Sequence, residues 1–140
     1  MKIISIRTTP VLAPLPRPVR TASGVIDQFP LVLIDVRTDA GVEGRAYAQV
    51  YLPELLPALN QAITSLADMV TGLPLAPRDV HAHLLRRCRL FGMKGLLGVA
   101  LGGLDMALWD AWARAREEPL ARALGAELRP LRAYTTNWRS

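Results

Sequence analysis

Apolar and polar positions change their period twice along the chain, and each change marks an element. Ile4, Ile6 and Thr8 alternate with Ser5 and Arg7, and Lys2 precedes them, which predicts an opening strand. Pro14, Pro16 and Pro18 then break that strand into an extended loop. Thr21, Ser23 and Gly24 follow, so 17–28 is expected to be a flexible surface segment. Val32, Ile34 and Val36 share one face of a second strand over 30–37. The turn Thr38, Asp39, Ala40, Gly41 reverses the chain into 42–50. Together these segments predict a three-stranded antiparallel sheet.

The period then lengthens to that of helices. Leu56, Leu59, Ile63, Leu66 and Val70 step by three and four, and Gly72 with Pro74 ends the run. Pro77 suits the first turn of a second helix bearing Val80, Leu84 and Cys88. The third helix centres on 100–114, with an apolar stripe of Leu97, Leu101, Leu104, Leu108 and Ala115. Gly95, Gly98 and Gly102 fall on another side, where a neighbouring backbone could approach closely. Met106 and Trp109 widen the apolar surface, so this helix is expected to be buried nearly all round. Asp110 and Arg114 are ordered for an i,i+4 pair at a wet edge. Asp105, set between Leu104 and Met106, needs a partner because an unpaired buried charge is costly. Pro119 starts a short fourth helix that Gly125 closes. Strands first and helices afterwards give an α+β class, a three-stranded antiparallel sheet followed by a helical bundle. Leu131, Ala133 and Thr135 then alternate with Arg132 and Tyr134 as one lone strand.

Composition narrows the classes of function. At 140 residues and 51% hydrophobic, the chain can bury a real core. Its net charge is +5, but 15 of the 17 basic residues are arginines scattered from Arg7 to Arg139. Arg86, Arg87 and Arg89 lie on a helix without interleaved aromatics, which reads as a solvated face and argues against a nucleic-acid partner. Cys88 is the only cysteine, so neither an intramolecular disulfide nor a cysteine-based zinc site can form, in keeping with a reduced, cytoplasmic setting. No uninterrupted apolar run reaches the ~18 residues of a membrane span, and a strand pattern starts directly after Lys2 where a signal peptide would have its apolar region.

Candidate chemistry is sparse. His81 and His83 are two apart on a helix and point to different sides, so they cannot share a metal. Lys94 sits in a glycine-flanked turn and reads as a solvated lysine. Gly92 and Gly95 around it are too few for a phosphate loop.

The strongest signal is the content of the third helix. Ala100, Gly102, Gly103, Leu104, Asp105, Ala107, Leu108, Asp110 and Ala113 resemble the signature of the enolase superfamily, in its mandelate racemase and muconate lactonizing branch. The resemblance extends over 31–44, 117–126 and 129–134, with spacing most similar to the mandelate racemase group. It implies an enolase N-terminal-like capping domain over 1–128 and the first strand of a (β/α) barrel over 129–140, the rest of the TIM barrel lying outside this sequence. Such a barrel takes roughly 250 residues. Family members abstract the proton alpha to a substrate carboxylate with a Lys or His base. Magnesium held by carboxylates stabilises the enediolate. Those groups come from later barrel strands, and 135–140 contains no Asp, Glu, His or Lys. The expectation is therefore no catalytic residue and no metal ligand in this chain, and no activity from it alone. The parent enzyme would use Mg2+, a small carboxylic-acid substrate and its own barrel domain; this chain, with an unpaired strand and the barrel-facing surface uncovered, is expected to self-associate as a homo-oligomer.

Substrate selection is what the resemblance carries over. Val19, Thr21 and Ile26 match the first loop that the cap lends to the barrel mouth. Tyr51 matches an aromatic residue facing substrate, and Thr136 a hydroxyl-bearing position at the end of the first barrel strand. Two readings follow: the N-terminal specificity domain of a racemase, cycloisomerase or acid dehydratase, or a stand-alone, non-catalytic module that binds a partner or completes a barrel in trans. A boundary just past one lone strand favours the first.

Overall fold

Extended segments with Val, Ile and Thr on one side pair into a sheet whose order follows the sequence, β1 (Ile3–Thr21), β2 (Gly24–Thr38) and β3 (Glu43–Gln49), all antiparallel. A single 3-10 turn (Pro53–Leu55) leads into α1 (Leu56–Asp68), followed by α2 (Pro77–Arg87), α3 (Leu96–Ala115) and α4 (Leu120–Ala123). This computed structural model describes residues 1–22 and 24–133. The α+β class and the order of elements agree with the pattern read from the sequence.

Central strand β2 sets the core. Val32, Ile34 and Val36 are buried on its helix-facing side, as their alternation predicts, with Leu59, Ile63 and Leu66 of α1 and Leu104, Ala107 and Leu108 of α3 in the same cluster. The opening strand departs from its simple alternation: Ile3 is fully buried and Ile4 is 55% exposed. A bulge between Ile3 and Ser5 supplies one extra residue and moves Ile4 to the other face. Beyond it Ile6 and Thr8 regain the helix side, and the Thr8 hydroxyl meets the Thr64 hydroxyl of α1 at 3.1 Å.

Prolines 14, 16 and 18 do not end β1, contrary to the expectation of a loop. β1 is an edge strand, where every second N–H faces away from the sheet, and prolines spaced by two can occupy such positions without costing a ladder bond. The irregularity is absorbed between Pro14 and Val19, where residues 15–18 stand opposite Asp27 alone. Segment 17–28 is therefore part of a two-stranded ribbon.

α3 lies across β3 in the opposite direction, Gly44 at Ala107 and Ala111, and Gly103 at Ala48 and Ile34. A methyl group on Gly44 would collide with the Ala107 carbonyl oxygen and come within 2.6 Å of Ala111 Cβ. One on Gly103 would meet Ala48 Cβ at 2.8 Å and Ile34 Cδ1 at 2.9 Å, whereas one on Gly102 meets nothing within 4 Å. The close approach thus uses Gly103 and Gly44, and the glycine face proposed from spacing is corrected at Gly95 and Gly102, neither of which has an atom within 4 Å of an added methyl group. Gly98 does fit it, packed under the Met93 carbonyl. α3 is long and apolar enough to cross a membrane by length and composition, but eight of its residues are buried in this core. Its burial is not all-round: Met106 is 51% exposed, and Val99 and Gly102 share that open side.

Polar anchors complete the seam. Asp110 Oδ2 accepts the Arg45 backbone N–H at 2.8 Å and the Arg114 Nε–H at 2.7 Å, so the expected i,i+4 pair also caps the open edge of β3. Asp105 finds its partner in His81 of α2, with Nδ1 3.2 Å from Oδ1. On the outer sheet face Arg7, Asp35, Arg45, Glu43 and Arg37 form an exposed ladder of ion pairs. Residues 129–133 form no strand, contrary to the alternation read there: the described sheet ends at β1 and β3, and neither pairs with them. Thr135, in the same expected strand, lies outside the described residues.

Two stability measurements follow. Gly44→Ala should cost about 1–3 kcal/mol by denaturant unfolding, because its obstacle is backbone. Gly102→Ala should be neutral or add up to ~1 kcal/mol through helix propensity. Equal effects at the two positions would contradict the packing. Separately, hydrogen bonding and charge from Arg37, helped by Arg45, hold the Glu43 carboxyl below its ordinary 4.5. A depressed carboxylate contributes stability above its unfolded value and loses it as pH falls through the folded one. Glu43→Gln should therefore lower stability slightly at neutral pH and flatten its decline below pH 4.5, so that the two proteins converge in acid.

Candidate functional site

Past the last β2–β3 rung, Leu31 with Gln49, β1 and β2 run on alone as a projecting ribbon. Its register brings two of the candidate residues together: Val19 and Ile26 are direct cross-strand partners, both half-buried. Thr21 stands opposite Gly24 at the last rung, and its hydroxyl donates to the Gly24 carbonyl at 2.9 Å. Gly24, at φ 134°, takes the backbone conformation that the reversal requires.

Tyr51 leaves β3 at the same end of the sheet. The Val50 N–H donates to the Pro30 carbonyl at 3.2 Å, which places Tyr51 one residue on, level with Phe29. Ile26 is three residues further along β2, about 10 Å at strand rise. Tyr51 is 85% exposed, so its ring is offered to whatever meets this end. Four of the five candidates thus lie at one end, on a ribbon and a strand exit; Thr136 lies outside the described residues.

Helix directions put two further chain turns there. α1 begins beside Tyr51, and α3 starts at this end because its later residues pack against Gly44. The turn between α2 and α3 carries Leu90 and Phe91, 91% and 89% exposed. Sequence reasoning passed over this pair. Its signal is two large apolar residues in a turn of arginine, glycine and lysine, where no buried periodicity calls for them.

The opposite end holds a different surface. A cavity of about 430 Å³ opens between the start of α2, the end of α3 and α4, lined by Arg78, Trp109, Trp112, Arg116 and Arg122. Arg78 stacks over Trp109 at 6.0 Å and Arg116 over Trp112 at 5.4 Å, with Arg116 Nε also bonded to Glu118 Oε1 at 2.6 Å. Its lining includes no serine, threonine, cysteine, lysine or histidine, and its carboxylates are Asp79 and Glu118, the latter bonded to Arg116. Among the described residues no three His, Cys, Asp or Glu side chains cluster as a metal site needs, and Asp105 and Asp110 are committed to His81, Arg45 and Arg114. The described residues do not fit a magnesium site.

The family model described as mandelate racemase / muconate lactonizing enzyme, N-terminal domain, matches residues 3–125. The chain belongs to this family. Among curated members of known name, D-galactarolactone cycloisomerase of Agrobacterium fabrum is 30% identical over 140 residues, covering 97% of this chain and 35% of that protein. L-Ala-D/L-Glu epimerase of Bacillus subtilis is 28% identical over 129 residues, 89% of this chain and 34% of that one. A Bradyrhizobium enolase crystallised with magnesium and mandelic acid is 40% identical with a TM-score of 0.88, covering 95% of this chain and 37% of its own. The chain spans about a third of the length of these mandelate racemase and muconate lactonizing relatives.

The ribbon beyond Leu31 has paired strands but no third strand beside it. Its amides, over 11–28, should exchange with solvent at least about tenfold faster than those of 32–36 in β2, which have a strand on both sides. Equal protection would show that the ribbon is held as firmly as the sheet.

Proposed function

We propose that this domain caps and selects substrate for a magnesium-dependent enzyme that removes the proton alpha to a carboxylate, whether as racemase, cycloisomerase or acid dehydratase. One observation carries the reading: the Val19 and Ile26 pair projects beyond the sheet at the same end where Tyr51 stands exposed. A projecting ribbon with apolar groups can close over a ligand and exclude water. On this reading the base and the metal ligands belong to the two thirds of the relatives that these residues do not match, and magnesium there stabilises the enediolate. This chain's own part is to bind the distal side of the acid and to keep solvent out.

Val19, Ile26 and Tyr51 offer mainly apolar surface, which suits an acid with a partly apolar distal group better than a polyhydroxylated one. The mandelic acid bound by the Bradyrhizobium relative is of that kind. The test is turnover by the full-length protein with magnesium across a panel of aryl, alkyl and sugar acids. Aryl or alkyl acids should lead, and Val19→Ser with Ile26→Ser should raise their KM by about tenfold with a smaller change in kcat. Turnover confined to sugar acids would overturn the pocket reading. The 140 residues alone should show no turnover and no stoichiometric magnesium binding by calorimetry; tight one-to-one binding would contradict the division of labour.

A further inference from the structure

We infer that the turn carrying Leu90 and Phe91 is a third closing element: in the full-length protein its tip seats against the catalytic portion beside Tyr51, where Phe91 packs against the acid's distal group. This rests on the capping reading above.

The turn is built to present that tip. Cys88 is buried, and its carbonyl accepts both the Phe91 N–H at 3.0 Å and the Gly92 N–H at 3.1 Å. Gly92 and Gly95, at φ 74° and 62°, take conformations that side chains rarely adopt. Met93 between them packs against the core, with its carbonyl over Gly98. Both flanks are thus anchored, and between them Leu90 and Phe91 point large apolar groups at solvent. A fixed turn that holds two such side chains outward leaves their burial unrealised, which favours a covering surface.

The placement identifies that surface. β3 rises from Gly44 to Ala48 while α3 falls from Ala111 to Gly103, so continuing both brings Tyr51 level with the first turn of α3. The 88–95 turn joins the helix there. Leu52 and Leu55, 57% and 43% exposed, and Val99 at 41% extend the same apolar end. Its occupant must be sizeable and must meet the ribbon, Tyr51 and the turn together. The two thirds of the relatives beyond this match provide it within one polypeptide. Arg86, Arg87, Arg89 and Lys94 flank the tip, so the surface that receives it should be apolar at its centre with acidic groups around it.

The experiment uses the full-length protein with magnesium and a series of 2-hydroxy acids whose distal group grows from methyl to phenyl. Phe91→Ala should raise KM about tenfold for the phenyl acid and hardly for the methyl acid, with kcat, thermal midpoint and assembly state unchanged. An equal effect on both acids, or none, would overturn the proposal. So would a change of assembly state without a kinetic effect, which would assign the turn to an interface between copies. If the wild type turns over none of the acids, it is the capping reading that fails. The turn is then judged by Phe91→Cys in a Cys88→Ala background. Thiol modification should be at least about tenfold slower in the native full-length protein than after unfolding, at every protein concentration. Equal rates, or protection lost on dilution, would refute an intramolecular seat.

Discussion

The seam between α3 and β3 is the constraint on which the rest depends. A helix can lie against a strand this closely only where side chains are missing, and Gly44 and Gly103 supply that on the two elements. Asp110 then reaches over the edge and takes the Arg45 N–H, which no strand is present to accept. The seam fixes the direction of α3. Direction in turn decides which loops gather with Tyr51 and which gather with the Trp109 and Trp112 cavity. Which loops gather at one end of the domain is thus set by packing near its middle.

Much of this was legible. The helical stripes of Leu56, Leu59, Ile63 and Leu66 and the strand alternation of Val32, Ile34 and Val36 report burial directly, because one face of each element meets the core. Asp105 announced a partner by its apolar neighbours and found His81. What stayed hidden depends on strand neighbours instead of local pattern. Pro14, Pro16 and Pro18 read as a break, and only the edge position of β1 lets them remain in a strand. The bulge at Ile4 inverts an alternation that was otherwise sound. Gly102 and Gly103 are adjacent in sequence and opposite in role, a distinction that requires knowing where Ala48 and Ile34 lie.

The candidate site was half legible for the same reason. Val19 and Ile26 were singled out from a family resemblance, and their cross-strand pairing is a property of the register. Leu90 and Phe91 carry no periodic signal and no motif, so they became visible only through their exposure and the direction of α3. The family membership is shown by a match over residues 3–125. The core faces of β2, α1 and α3 lie away from the ribbon tip, so changes at Val19, Ile26 or Tyr51 leave the seam untouched.

The most direct test of the central claim is amide hydrogen exchange on Asp110→Ala. If the helix-to-strand seam organises the functional end, protection should fall along Glu43–Gln49 and continue through residues 50–56, while the β1 side of β2 keeps its own. Loss confined to the Arg45 amide, with Tyr51 and its neighbours unchanged, would contradict the account.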